Sequence, residues 1–226
     1  MKKISVIIPV RLNSERLKKK ILKKIGDYTV IGILLKRLQY LPPKIDIIFS
    51  ISKDKSSLRL IKFCKLKKLK FYVGSKNNVA LRVLNTANKF RVTDIIRING
   101  DSPLTDLKSI LTFLKKYQLC KCDLLTNIFP RSFPKGMSIE IFKKKILEKN
   151  IRKFDKKNKE HVTSFFYQNK NKFKIKNIKS RYNYSKFSFA IDERKDIFLL
   201  NKIISHPKFT FNSKLEDIIE ISLLKK

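Results

Sequence analysis

A chain of 226 residues, 42% of them hydrophobic, can bury the core of a full α/β domain, so global disorder is excluded. The formal net charge of +36 invites a nucleic-acid reading, because basic surfaces attract phosphates. Lys outnumbers Arg by 43 to 11 and the basic residues run along the whole length, so solvated positions filled with Lys explain the charge better, and no specific nucleic-acid partner is expected.

In chain order, Lys3–Pro9 is a continuous Val/Ile run that reads as a central parallel strand buried on both faces. It is too short for a signal-peptide core or a membrane span, and a cytoplasmic protein is expected. A basic loop follows from Arg11 to Ile25. Helical periodicity over about 30–40 ends at Pro42-Pro43. Strand Asp46–Ile51, a helix over about 56–68, strand Lys70–Val73 and a helix over about 78–90 come next, and strand Asp94–Ile98 ends in Asn99-Gly100-Asp101. Thr105 or Asp106 can cap a helix over about 107–118, and Asp123–Asn127 is a fifth strand. This alternation predicts an α/β fold with a mostly parallel sheet in three layers, whose ligands bind at the carboxyl ends of the strands.

After Asn127 the pattern changes. Pro130, Pro134 and Gly136 mark a loop, and Met137–Phe142 alternates like a strand. A helix over about 158–169, strands Phe173–Ile178 and Phe187–Ile191, a helix over about 194–205 and an amphipathic helix over 213–224 complete the chain. With no repeat and no linker, one domain over 1–226 is the simplest organisation. Cys64, Cys120 and Cys122 lack further Cys or His at metal spacing, and reduced thiols are expected.

Four segments carry candidate chemistry. Arg11 to Lys20 is dense in cations that could grip a triphosphate, against the alternative of a solvated Lys-rich loop. Asp101 follows a Gly at a strand end, where a carboxylate can hold Mg²⁺ beside a phosphate or simply make a turn. Asp192 stands at the end of an apolar run, as a second metal carboxylate or as a helix cap. His161 lies at a helical segment where a structural role competes with a catalytic one, and His206 has no evident partner.

Together these residues carry a resemblance. Arg11-x-x-Ser14-x-Arg16-Leu17-x-x-Lys20-x-Leu22, Arg97-Ile-Asn-Gly100-Asp101-Ser-Pro103-Leu104-x-Asp106, Pro130-Arg131-x-x-Pro134-x-Gly136-x-x-x-Glu140, Glu160-His161-Val162-Thr163 and Asp192-x-x-x-Asp196 stand in order along the chain. The sequence resembles the CTP-dependent sugar cytidylyltransferases, most closely the spore coat polysaccharide branch, related to the CMP-sialic acid and CMP-Kdo synthetases. It departs from the signature loop, where Lys18-Lys19 replaces Pro-Gly, and from the middle motif, where Ser138 replaces Asp.

The resemblance implies a Rossmann-like nucleotidyltransferase of the nucleotide-diphospho-sugar transferase type. Its nucleotide-binding half would span 1–127, and its sugar-binding and dimerisation half 128–226. Arg11, Arg16 and Lys20 would bind the CTP phosphates, Ser14 and Gly100 would be further nucleotide-binding residues, and Arg82, Arg97 and Asn99 would shape the nucleotide pocket. Asp101 and Asp192 would hold Mg²⁺, and Glu140 and His161 would lie on the sugar side. Lys20, Arg11, Arg16 and Asp101 are the expected catalytic set. The implied reaction transfers CMP from CTP to an acidic sugar, in a homodimer and for a surface polysaccharide. The alternatives are a same-fold enzyme using another nucleotide or a sugar phosphate, and a non-catalytic relative.

Overall fold

The computed structural model describes residues 2–12, 17 and 19–224. Strand β1 (Ile4–Val10) is the centre of the molecule. It pairs in parallel with β4 (Asp46–Ser52) on one side and β6 (Asp94–Arg97) on the other. Successive side chains of a strand point to opposite faces. Val6, Ile8 and Val10 accordingly enter one hydrophobic core with Ile31, Leu34, Phe113 and Ile218, while Ile7 enters a second core with Ile48, Val83, Leu147 and Phe166. An unbroken apolar run is what a strand needs when both faces are covered.

The main sheet has the order β5-β4-β1-β6-β8-β7-β9, with β5 at Lys70–Gly74, β7 at Leu124–Thr126, β8 at Glu140–Lys143 and β9 at Ile175–Asn177. Strand β8 runs antiparallel to both β6 and β7, and the other pairings are parallel. Helices α1 (Val30–Leu38), α2 (Ser57–Leu66), α4 (Leu107–Leu119), α8 (Arg194–Ile204) and α9 (Leu215–Leu223) supply the first core. Helices α3 (Val79–Lys89), α5 (Lys144–Asn150) and α7 (Ser164–Gln168) supply the second. This is the mostly parallel, three-layer α/β/α sheet expected, and no helix among the described residues is long and apolar enough to cross a membrane.

Four local expectations are corrected. The basic loop holds a helical turn at Lys20–Leu22 and a small hairpin, β2 (Lys24–Ile25) with β3 (Tyr28–Thr29). The helix expected over 158–169 is broken at 161–163 into α6 (Lys156–Glu160) and α7. Phe187–Ile191 forms no strand: its ladder is a lone parallel bridge, Lys135 to Ser188. Cys120 and Cys122, expected as reduced thiols, are joined as a disulfide, their Cα atoms 5.3 Å apart and so within bridging range.

Candidate active site

The strand-to-loop junctions at the carboxyl ends of β1 and β6 open onto a cavity of about 510 Å³. Pro9, Val10 and Arg11 reach it from β1, and Arg97, Asn99, Gly100 and Asp101 from β6. Helix α3 contributes Val79 and Arg82, and the end of α6 contributes Glu160 and His161. Lys20, Ile21 and Asp192 complete the lining. The wall thus draws on both halves of the sequence. Gly100 is required by its neighbour, because a Cβ there would stand 2.5 Å from Val10 Cγ1.

Lys20 sits at the centre of the charge arrangement. Its Nζ donates to Asp101 Oδ2 at 2.7 Å and to Asp192 Oδ1 at 3.1 Å, with the Lys20 side chain only 12% exposed. Two carboxylates more than ninety positions apart in sequence therefore converge on one cation position. The backbone brings them together. The Asp101 carbonyl accepts from Ile191 N–H at 3.0 Å, tying the segment that carries Asp192 to the end of β6. From the other side, Lys135 N–H donates to the Phe187 carbonyl at 3.0 Å and Phe189 N–H donates to the Lys135 carbonyl at 2.8 Å. Gly136 permits that approach: its φ is +86, and an added Cβ would overlap the Ala190 amide nitrogen.

Asp192 does not cap α8. Glu193 is the cap residue, and Asp196 accepts from the N–H groups of both Asp192 and Glu193 at 2.7 Å. The Asp192 carboxylate is left to face cations, and Lys135 Nζ donates to its Oδ2 at 2.8 Å. Burial alone would raise the Asp192 carboxyl, but hydrogen bonds from Lys135 and Lys20 outweigh it and hold the group below the usual carboxylate range. Asp106, by contrast, is the helix cap anticipated for α4, accepting from Ser109 N–H at 3.0 Å.

Lys19, where the signature loop has Gly, adopts φ 57 and ψ 22, the left-handed region. Its N–H donates to the Leu12 carbonyl at 2.9 Å, directly before the inward-facing Lys20. The backbone turn that Gly provides is thus retained by a Lys at a steric cost.

Arg11 pairs with Glu160 at 3.0 Å near the cavity mouth. Arg82 is 1% exposed, held by the carbonyls of Ser50 and Ser75. Burial, reinforced by the nearby Arg11 charge, lowers its pKa to about 10. Arg97 faces the cavity and pairs with Glu140 across the β6–β8 ladder. Glu140 is 1% exposed and does not line the cavity. It accepts from Arg97, from Thr163 Oγ1 at 2.6 Å and from Tyr167 OH, and so stands behind Arg97. His161 lines the cavity where the chain breaks between α6 and α7. His206 lies in an exposed turn away from this lining. Ser14 and Arg16 fall outside the described residues.

Sequence reasoning missed Glu160 as an ion-pair partner and Lys135 altogether. Lys135 stands directly before Gly136 in the middle motif, but one Lys among 43 carries no contrast.

No group of three or more His, Cys, Asp and Glu able to hold a metal occurs among the described residues. The Asp101–Asp192 pair nonetheless suits Mg²⁺. That ion is commonly held by one or two carboxylates together with substrate phosphates, and here two carboxylates already share a cation position.

The cytidylyltransferase family profile matches residues 5–223. A solved cytidylyltransferase from Leptospira borgpetersenii is 28% identical, with a TM-score of 0.92 over 98% of this chain and 94% of that one. An uncharacterized protein of Methanocaldococcus jannaschii is 32% identical over 174 residues, 76% of this chain and 70% of the relative. A CMP:2-keto-3-deoxy-manno-octonic acid synthetase solved with CTP shares the fold at 13% identity, with a TM-score of 0.70 over 90% of this chain and 99% of that one. The α/β/α fold, with a cationic cavity that holds two carboxylates, is that of a nucleotidyltransferase of the nucleotide-diphospho-sugar transferase type. Within that class, the chain belongs to the cytidylyltransferase family.

Proposed function

We propose that this enzyme transfers CMP from CTP to a hydroxyl of an acidic sugar, nonulosonic or Kdo-like, with release of pyrophosphate, for surface polysaccharide synthesis. The observation that carries the reading is the Lys20 ammonium held between Asp101 and Asp192 inside a cavity ringed by Arg11, Arg82 and Arg97. The CTP-bound structure sharing this fold supports the nucleotide. The acidic acceptor rests on the motif resemblance and on the excess of cationic groups at the cavity. The resemblance, rather than the fold, is also what supports a cytoplasmic homodimer and the division into a nucleotide half, 1–127, and a sugar half, 128–226.

In this mechanism the sugar oxygen attacks the α-phosphorus in line, the bond to the β-phosphate oxygen breaks, and the hydroxyl proton is lost to water. Arg11 and Lys20, with Arg16 and Ser14 of the same loop, bind the phosphates and stabilise charge developing on pyrophosphate. Arg82, Arg97 and Asn99 shape the nucleotide side, and Gly100 lets the chain pass close to it. Glu140 acts through Arg97, holding the guanidinium in place, and His161 faces the acceptor. Asp101 and Asp192 would hold Mg²⁺, which when bound supplies charge neutralisation at the α-phosphate.

The test is pyrophosphate release from each of the four nucleoside triphosphates with Mg²⁺, against a panel of acidic sugars. Release confined to CTP with an acidic sugar is expected. Release with another triphosphate, or only with a sugar phosphate, would replace this reading. Asp101→Asn should abolish turnover with little change in melting temperature, and Lys20→Ala should lower kcat by about 10²-fold or more.

A further inference from the structure

The charged groups at the centre of the cavity, Lys20, Asp101 and Asp192, are already paired with one another. Lys20 neutralises Asp101 and Asp192, Lys135 neutralises the outer oxygen of Asp192, and Arg11 is engaged by Glu160. A triphosphate needs the cations, and a divalent ion needs the carboxylates. At Lys20, Asp101 and Asp192, neither can take its partner without breaking a pair that holds the other's.

We propose that the Lys20 ammonium and the divalent cation compete for one position between Asp101 and Asp192, so that the ion binds fully only when a triphosphate draws Lys20 away. The inference rests on the reading of Asp101 and Asp192 as the metal carboxylates, and concerns the order and coupling of binding rather than the identity of the site.

Geometry singles out Lys20. Its Nζ lies 2.7 Å from one carboxylate and 3.1 Å from the other, so its charge stands between the two groups that would hold the ion. With its side chain 12% exposed and that of Asp192 15%, solvent screens this pair only in part. Two cations cannot share that space. Lys135 is the internal control. It contacts Asp192 through Oδ2, the oxygen turned away from Lys20, and its side chain is 56% exposed. It can steady Asp192 during the exchange, but it does not occupy the shared position. Lys20 begins a single helical turn next to the left-handed Lys19, and its ammonium is carried on a flexible four-carbon stem. Coupling of this kind is reciprocal: the factor by which CTP improves metal binding is the factor by which metal improves CTP binding.

The experiment measures Mn²⁺ binding to the full chain by electron paramagnetic resonance, with and without CTP. The variants are Lys20→Met, Lys20→Gln and Lys135→Met, each checked by its melting curve. Without nucleotide, both Lys20 variants should bind Mn²⁺ about tenfold more tightly than wild type, equivalent to about 1.4 kcal/mol. Lys135→Met should stay within about threefold of wild type. The enhancement of Mn²⁺ binding by CTP should shrink in the Lys20 variants. Unchanged or weaker Mn²⁺ binding in them would overturn the proposal. Equal tightening in Lys135→Met would also overturn it, because general charge rather than a shared position would then be responsible. Loss of fold in both Lys20 variants would do the same, since the proposal makes Lys20 a displaceable group. Adding Asp101→Asn to Lys20→Met should remove the gained affinity. If it does not, the metal assignment itself fails, whereas tight CTP binding with unchanged Mn²⁺ affinity in Lys20→Met would sink this inference alone.

Discussion

Glu140→Gln tests how the cavity is held from behind. Glu140 is 1% exposed and accepts from three donors: Arg97, Thr163 and Tyr167. The substitution keeps the side-chain shape but turns an acceptor-only group into one with an NH₂ end. That end must face either the Arg97 guanidinium, which cannot accept, or the two hydroxyls, which would have to turn from donating to accepting. Arg97 is only 14% exposed and its Nε has no hydrogen-bond partner among the described residues, so water in the cavity would make up only part of the lost counter-charge. Breaking one partner of a buried ion pair costs about 3–5 kcal/mol. For a chain of this size each kcal/mol shifts Tm by roughly 2–4 °C, so the variant should melt about 6–20 °C below wild type. The assay is urea and thermal unfolding of wild type, Glu140→Gln, Arg97→Met and the double variant. The two single effects should be non-additive, with a coupling of about 2 kcal/mol or more, since both remove the same contact. CTP affinity should also fall in Glu140→Gln, although Glu140 does not line the cavity. A single-variant loss below about 1 kcal/mol, or strict additivity, would refute the account of Glu140 as the buried counter-charge of Arg97.

Three further outcomes are expected. Lys19→Gly should raise stability by about 1 kcal/mol, because Gly accepts the left-handed backbone that Lys19 holds under strain; a lower urea midpoint would contradict this. The Asp192 carboxyl is held below its usual range, so its contribution is present above the unfolded pKa of about 3.9 and is lost as pH falls through the lower folded value. The stability gap between wild type and Asp192→Asn should therefore be largest near neutral pH and close in strong acid; urea midpoints at both conditions decide it, and a gap that widens in acid would be wrong. Burial pushes the Cys64 thiol up to about 12, so peptide mass analysis should find Cys64 alkylated at mildly alkaline pH only after denaturation.

Much of the sheet was legible because it depends on local signals. The Val/Ile runs at Ile4–Val10 and Asp46–Ser52, buried on both faces, must be parallel strands, and the helical periodicity between them leaves little choice of connection. Side-chain chemistry announced the start of α4 at Thr105 or Asp106, and the structure makes Asp106 the cap. The segment before Asp192 misled for the opposite reason: Phe187–Ile191 is apolar because Phe189 and Ile191 pack into the first core, not because it joins a ladder.

By itself, then, the sequence determined the α/β class, the order of most elements and a set of motif residues at strand ends, because periodicity, capping and turn chemistry act over a few residues. Only the tertiary structure decided which charges meet. The Lys20 bridge joins residues 81 and 172 positions away. Lys135 gained its part from the backbone approach that Gly136 allows. Glu140 was turned inward beneath Arg97 by the antiparallel pairing of β8 with β6. An ion pair depends on distances of a few ångströms across the fold, and no local pattern in the chain encodes them.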